Sequence, residues 1–276
     1  MSLLAHKVKL EPVEHKYFDT DGREYISISK VLSMLHEPFD AERISYYSAR
    51  KQLRHEMNPS AKGDAKAWKV QPSEAQIELR QKALQMQWKQ KNKESIDIGS
   101  FIHQSIETML QFGVLPDDKN LADATESILK EHLSGYQEFY VEEVLYSNKY
   151  LVAGTSDFIG RKVGGDNPVM EISDYKTNAS KGIVFSSDYN KWLNFPVAHL
   201  EDCNYIHYAL QLSFYALMME EHGYRPGRLR LIYIPPTDPQ KYFAIPIPYL
   251  KLEVEAILEY LASTGKILRN ETTAWV

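Results

Sequence analysis

A single cysteine, Cys203, stands in the 276 residues of this chain. One thiol cannot build a disulfide framework, a four-cysteine zinc site or a cysteine-ligated iron–sulfur cluster. No apolar run approaches the length needed to cross a bilayer, so no membrane role is expected. The opening "MSLLAHKVKL" lacks the long apolar core of a signal peptide, which points to the cytoplasm or an equivalent compartment. No GxxxxGK followed by Ser or Thr occurs, so a nucleotide cofactor is not expected. Internal repeats and low-complexity tracts are missing as well.

What is present is ordinary globular composition, 43% hydrophobic and 25% charged, in a chain long enough for one large domain or two small ones. The net charge of −5 conceals an asymmetry. Between Arg43 and Lys93 twelve Lys and Arg face four acids, so that segment is +8 and the remainder −13. A basic arm or groove facing a polyanion has this distribution, although a solvated helical face has it too. Arg50, Lys51, Arg54, Lys66 and Lys89 are its candidate phosphate contacts. Trp68, Trp88, Tyr46 and Tyr47 interleave with them and are candidates for stacking on unpaired bases, or for a local core. We expect one domain over 1–276, with a helical, basic insertion at about 40–95 and a core at about 97–264.

The pattern along the chain is α/β. "KVKLEPVEHKYFDTDGREYISIS" reads as a β-hairpin around Asp21–Gly22, followed by a short helix capped by Ser29. Residues 40–93 are helical and polar, broken at "NPSAKG" and "QPSE", with Ser73 and Gln76 as a capping box. Further helices are expected over 97–112, stopped by Gly113, and over about 120–140. Three strands follow in "EVLYS", "YLVAGTSDFIGRKV" and "PVMEISDYKT". A helix over about 204–222, strands in "RLRLIYIPP" and "KYFAIPI", and a helix over 250–261 complete a mixed sheet flanked by helices.

Four acid-x-Lys triplets occur ("EHK", "DAK", "DDK", "DYK"), and only "DYK", Asp174 to Lys176, ends a strongly apolar strand. Gly164, Gly165, Asp166 and Asn167 separate that strand from the one before it, a turn composition that suggests a hairpin. With a four-residue turn, Val163 pairs with Pro168 and Asp157 lies opposite Asp174. Directly opposed carboxylates stand ~5 Å apart at Cβ and repel each other. A hard divalent cation between them would make the arrangement favourable. "IGSFIHQSIE" places His103 and Glu107 on one helix face, and "YALQLSFYALMME" does the same for Gln211 and Tyr215. "HLEDC", holding His199, Glu201 and Asp202, reads as surface charge.

In this order, "HQSIE", "GTSD", "DYK" and "QLSFY" resemble the PD-(D/E)xK nuclease superfamily. They are most similar to its RecB-like exonuclease branch, of phage and mitochondrial genome maintenance exonuclease type. The resemblance covers about residues 25–234. It implies a restriction-endonuclease-like core, with the N-terminal β-hairpin and a helical arch added. It also implies metal ligation by His103, Asp157, Asp174 and the Tyr175 carbonyl, with Lys176 as the catalytic lysine. Gln211 and Tyr215 would position the DNA strand, with Glu107 and Glu143 as supporting acids and Glu142 competing for the latter role. Mg²⁺ or Mn²⁺ is the implied cofactor, and single-stranded DNA or free ends the implied substrate. An endonuclease with the same site and a non-catalytic nucleic-acid-binding module are the alternatives. A separate helicase or recombination protein would supply any unwinding. A bacterial or phage-infected cell fits, and so does an organellar matrix.

Overall fold

The computed structural model describes residues 3–4, 7–61, 68–162, 168–178, 182–187 and 190–270. Lys66 and the expected turn from Gly164 to Asn167, with its Val163 pairing, lie outside them. The chain divides into two compact units, one of Met1–Glu37 with Gly99–Val276 and one of Pro38–Ile98.

The larger unit is a mixed α/β structure on an eight-stranded sheet. Its strands are β1 (Val8–Glu11), β2 (Lys16–Asp19), β3 (Glu24–Ser27), β4 (Glu138–Ser147), β5 (Val152–Lys162), β6 (Val169–Lys176), β7 (Arg225–Tyr233) and β8 (Phe243–Ile247). They run in the order β1-β2-β3-β5-β6-β7-β8, with β4 on β5. The β3–β5 and β6–β7 pairs are parallel and the others antiparallel. Its helices are α1 (Ile28–Ser33), the end of α3 (Glu74–Phe112), α4 (Lys119–His132), α5 (Asn204–Glu221) and α6 (Lys251–Ser263). Alternation along the strands splits the core between the two faces. Ile159, Ile172 and Leu231 pack with α5 and α6, whereas Phe158, Tyr175 and Ile232 pack with Ile102, Ile106 and Leu121. α5 carries apolar residues all round and is buried over most of its length, as such a helix must be.

Several local expectations are corrected. The N-terminal hairpin is a three-stranded meander: "DTDG" closes β2 onto β3, and a second turn closes β1 onto β2, with His15 in the left-handed region at φ 53°. Ser27, not Ser29, caps α1, its hydroxyl accepting from Lys30 N–H. α3 runs unbroken from 74 to 112, because nothing in "KNKESIDIGS" removes a backbone donor or caps an end. Gly113 stops it at φ 69°. α4 ends at His132 rather than near 140, and β4 takes up residues 138–147. The Ser73 and Gln76 side chains do bond back to each other's backbone N–H.

β5 positions the site. β4 occupies one of its edges, from Glu138↔Arg161 to Ser147↔Val152. On the other edge β3 pairs only with Val152 and Ala153, because the chain turns into α1 directly after Ser27. β6 pairs with that same edge from Phe158 to Lys162 and then continues beside β7 alone. Gly154 to Asp157, the "GTSD" stretch, is left without a ladder partner there among the described residues. The sheet is split at that point.

The smaller unit holds α2 (Ala41–Met57) and the first part of α3. Ala49, Leu53, Ile77 and Leu84 form its core, with Tyr46 and Trp88 packed against them. Arg80 clamps Glu56 through both carboxylate oxygens, at 2.7 and 2.8 Å. Among the described residues, no helix is long and apolar enough to cross a membrane.

Candidate metal centre

The split gathers charge. Continuing the β5–β6 register past Phe158↔Ser173 sets Asp157 opposite Asp174, as the hairpin register predicts. Where the strands part, the Asp157 side chain takes over from the backbone: its Oδ2 accepts the Tyr175 N–H at 2.6 Å. His103, from α3, brings Nδ1 to 3.6 Å from the same oxygen. Glu142 faces Asp157 from β4, and its backbone sits in the left-handed region at φ 52°. A non-glycine residue held there inside a strand is strained, so the surrounding structure must impose it. Ligand atoms of His103, Glu142 and Asp157 all lie within 4.8 Å of one another.

Lys176 closes the cluster, its Nζ meeting Asp174 Oδ2. That oxygen is buried and accepts no hydrogen bond of good geometry from any described residue, so the contact is charge against charge. Burial pulls the Lys176 ammonium down, but Asp174 and Asp157 outweigh it and hold the group above its ordinary value. Burial pushes Asp157 up, and the Asp174 carboxylate adds to that while His103 and Lys176 oppose it. Glu142 is exposed on its outer side, yet its carboxyl is pushed up to about 8. Desolvation on the protein side is the first cause, followed by the carboxylates of Asp157, Glu107 and Asp174. The cluster is therefore too negative for its one amine. A divalent cation among His103, Glu142 and Asp157 would lower all these proton affinities, and the buried, poorly satisfied Asp174 oxygen fits such a centre. These residues could hold a metal ion.

No protein-family model matches this chain, and no curated protein matches it. A solved structure from Eubacterium rectale, named "Putative exonuclease", is similar over 90% of this chain and 85% of that one, at 12% identity and a TM-score of 0.40.

The other expected site residues fall as follows. Gln211 Nε2 donates to Tyr215 Oη at 2.9 Å, and burial holds the Tyr215 hydroxyl well above its ordinary value. A Cβ at Gly154 would lie 2.7 Å from Tyr215 Cε1, so the glycine of "GTSD" makes room for the tyrosine of "QLSFY". Glu107 bonds Gln111 at 3.1 Å and acts on Glu142 through charge. Glu143 is corrected: it accepts the Leu3 and Leu4 N–H groups at 2.8 and 3.2 Å, and Glu142 is the acid in the cluster. The Asp174 carboxylate lies beside the three-ligand group, occupied by Lys176. Tyr175 presents its N–H to Asp157 and stacks its ring edge on His103 at 5.7 Å.

In the smaller unit Arg50, Lys51, Arg54 and Lys89 lie on α2 and α3, with Lys51 and Lys89 exposed. Arg54 sits 5.8 Å above the Trp68 ring, which occupies that ring face. Tyr46 and Trp88 belong to the local core, whereas Tyr47 is exposed.

Sequence reading missed two tyrosines. Tyr17 of β2 shares a 3.0 Å hydrogen bond with Thr155 inside the open stretch of β5. Tyr208 lies on α5, three residues before Gln211, with its ring 5.0 Å from Lys176 Nζ. Helical spacing from Gln211 could have found Tyr208. Nothing in the sequence marks Tyr17.

Proposed function

We propose that this chain is a metal-dependent nuclease that hydrolyses DNA phosphodiester bonds, acting as an exonuclease on single strands or free ends. The observation that supports this reading best is the three-ligand group of His103, Glu142 and Asp157 next to a buried lysine paired with Asp174. Bound there, Mg²⁺ or Mn²⁺ supplies a Lewis acid for the phosphate. His103, Glu142 and Asp157 would hold it, and Asp174 and the Tyr175 carbonyl would complete the set. Lys176, held beside Asp174, would offer a positive charge to the oxygen on which charge develops. Gln211 and Tyr215 present an amide and a hydroxyl that fix the strand in line. On the smaller unit, Arg50, Lys51, Arg54, Lys66, Trp68 and Lys89 are the candidates for contact with phosphates and bases.

The test is digestion of DNA labelled at either end, single- and double-stranded, with Mn²⁺ and with chelator. Wild-type protein should shorten the strand from one end only with metal, and should leave a circular single strand whole. Lys176→Ala should slow cleavage about 10²–10³-fold, the scale of losing one charge-stabilising group. Cleavage in chelator, or a Lys176→Ala variant that cuts at the wild-type rate, overturns the reading. Cutting of the circle assigns the same site to an endonuclease.

A further inference from the structure

Lys176 is the last residue of β6, where a strand end would ordinarily leave a long side chain free to swing. Here the chain beyond it is braced from two sides. Tyr233 of β7 donates its hydroxyl to the Asn178 carbonyl at 2.9 Å. On α5, the Tyr208 hydroxyl lies 2.8 Å from Asn178 Nδ2 and 2.9 Å from its Oδ1, so the two side chains hydrogen-bond in either amide orientation. That bond sets the angle of the Tyr208 ring, whose centroid lies 5.0 Å from Lys176 Nζ. The ammonium is thus enclosed between a carboxylate and the negative face of an aromatic ring. Only 18% of the lysine side chain is exposed, so the ring also shields the charge from water.

We propose that Tyr208 is a positioning residue for Lys176: its ring face fixes the ammonium beside Asp174, and Asn178 locks the ring. The role rests on the nuclease reading of the same site, because it is the reacting phosphate that needs the charge in one place. Without the ring the lysine keeps its charge contacts with Asp174 and Asp157, and among the described residues no other aromatic face holds its end in place. The amine then samples positions off the line of reaction, and the transition state suffers while substrate binding does not.

Two readouts decide it. In protein carrying ¹³C-labelled lysine, the Lys176 side-chain signal is identified by its loss in Lys176→Met. The ring current of Tyr208 should displace that signal; the displacement should survive Tyr208→Phe and vanish in Tyr208→Leu. In the cleavage assay Tyr208→Leu should lower kcat about tenfold, the scale of a shielded cation–ring contact, with KM nearly unchanged. Tyr208→Phe and Asn178→Ala, which both keep a ring beside the amine and both remove the bond that locks it, should fall together between Tyr208→Leu and wild type. A displaced signal that persists in Tyr208→Leu overturns the contact. Loss of the displacement with kcat unchanged overturns the positioning role. If wild-type protein cleaves no DNA, the nuclease reading falls by itself, and the lysine signal still reports whether the ring holds the amine.

Discussion

Replacing Glu142 with Gln should stabilise the metal-free protein at high pH and leave it unchanged at low pH. The Glu142 carboxyl is pushed from 4.5 up to about 8 in the folded chain, by desolvation first and then by Asp157, Glu107 and Asp174. Below pH 4.5 the group is protonated in both the folded and the unfolded chain, and it contributes nothing to stability. Between 4.5 and about 8 the folded chain keeps a proton that the unfolded chain has released, so stability falls as pH rises. Above about 8 the full penalty applies. At about 1.4 kcal/mol per pH unit, that span sets a ceiling near 5 kcal/mol.

Water on the outer side of Glu142 screens much of it, which leaves an expected gain of about 1–2 kcal/mol for Glu142→Gln. At roughly 2–4 °C per kcal/mol, the variant should melt about 2–8 °C above wild type at pH 9 in chelator. At pH 4 the two should melt together. Adding Mn²⁺ at neutral pH should reverse the order, because the variant has lost an anionic ligand while wild type gains the stability that binding confers. Thermal denaturation followed by circular dichroism reads all three conditions. A variant that melts no higher than wild type at pH 9, or gains equally at pH 4, refutes the crowded-carboxylate account.

Gly154→Ala should destabilise by about 1–3 kcal/mol, since its Cβ meets Tyr215 Cε1 at 2.7 Å, and Tyr215→Leu should recover part of that loss in a double-mutant cycle. Additive effects would show that the glycine does not serve the tyrosine. On the other sheet face, Tyr136 donates to Glu171 at 2.7 Å and accepts from Arg230, with both partners buried. Tyr136→Phe should therefore cost about 1–3 kcal/mol in urea denaturation without altering cleavage; a change in cleavage would tie that network to the site. A donor set with an imidazole is softer than an all-oxygen one, so Mn²⁺ should support cleavage at least as well as Mg²⁺. Inhibition by Mn²⁺ would argue against His103 as a ligand.

The register that brings Asp157 and Asp174 together was legible because strand alternation restricts it: a slip by one would turn every apolar residue to the wrong face. The same logic carried to β4 picks Glu142 over Glu143, since Val141↔Phe158 and Glu143↔Ser156 put 142 across from 157. What hid this was the backbone: a glutamate in the left-handed region has no sequence signal. The meander was hidden by strands of four residues and a first turn without glycine. α3 looked like two helices because its polar middle carries no apolar stripe, although hydrogen bonding along a helix does not need one. Tyr17, Tyr136 and Tyr208 were not singled out, because their hydroxyl partners lie far away in sequence.

The split in the sheet gives these spacings a common cause. A strand edge released by its neighbours exposes backbone groups and side chains that must find other partners. Along β5 they come from three elements: Gly154 receives the Tyr215 ring from α5, Thr155 bonds Tyr17 from β2, and Asp157 takes the Tyr175 N–H from β6. Aspartate at 157 is thereby tied to two distances at once, 2.6 Å to that N–H and 3.6 Å to His103. A glutamate would carry its carboxylate one methylene too far for the first contact, even with its charge unchanged. Asp157→Glu should accordingly lose the Tyr175 hydrogen bond and its protection from amide exchange, whereas a site held by charge alone would keep it.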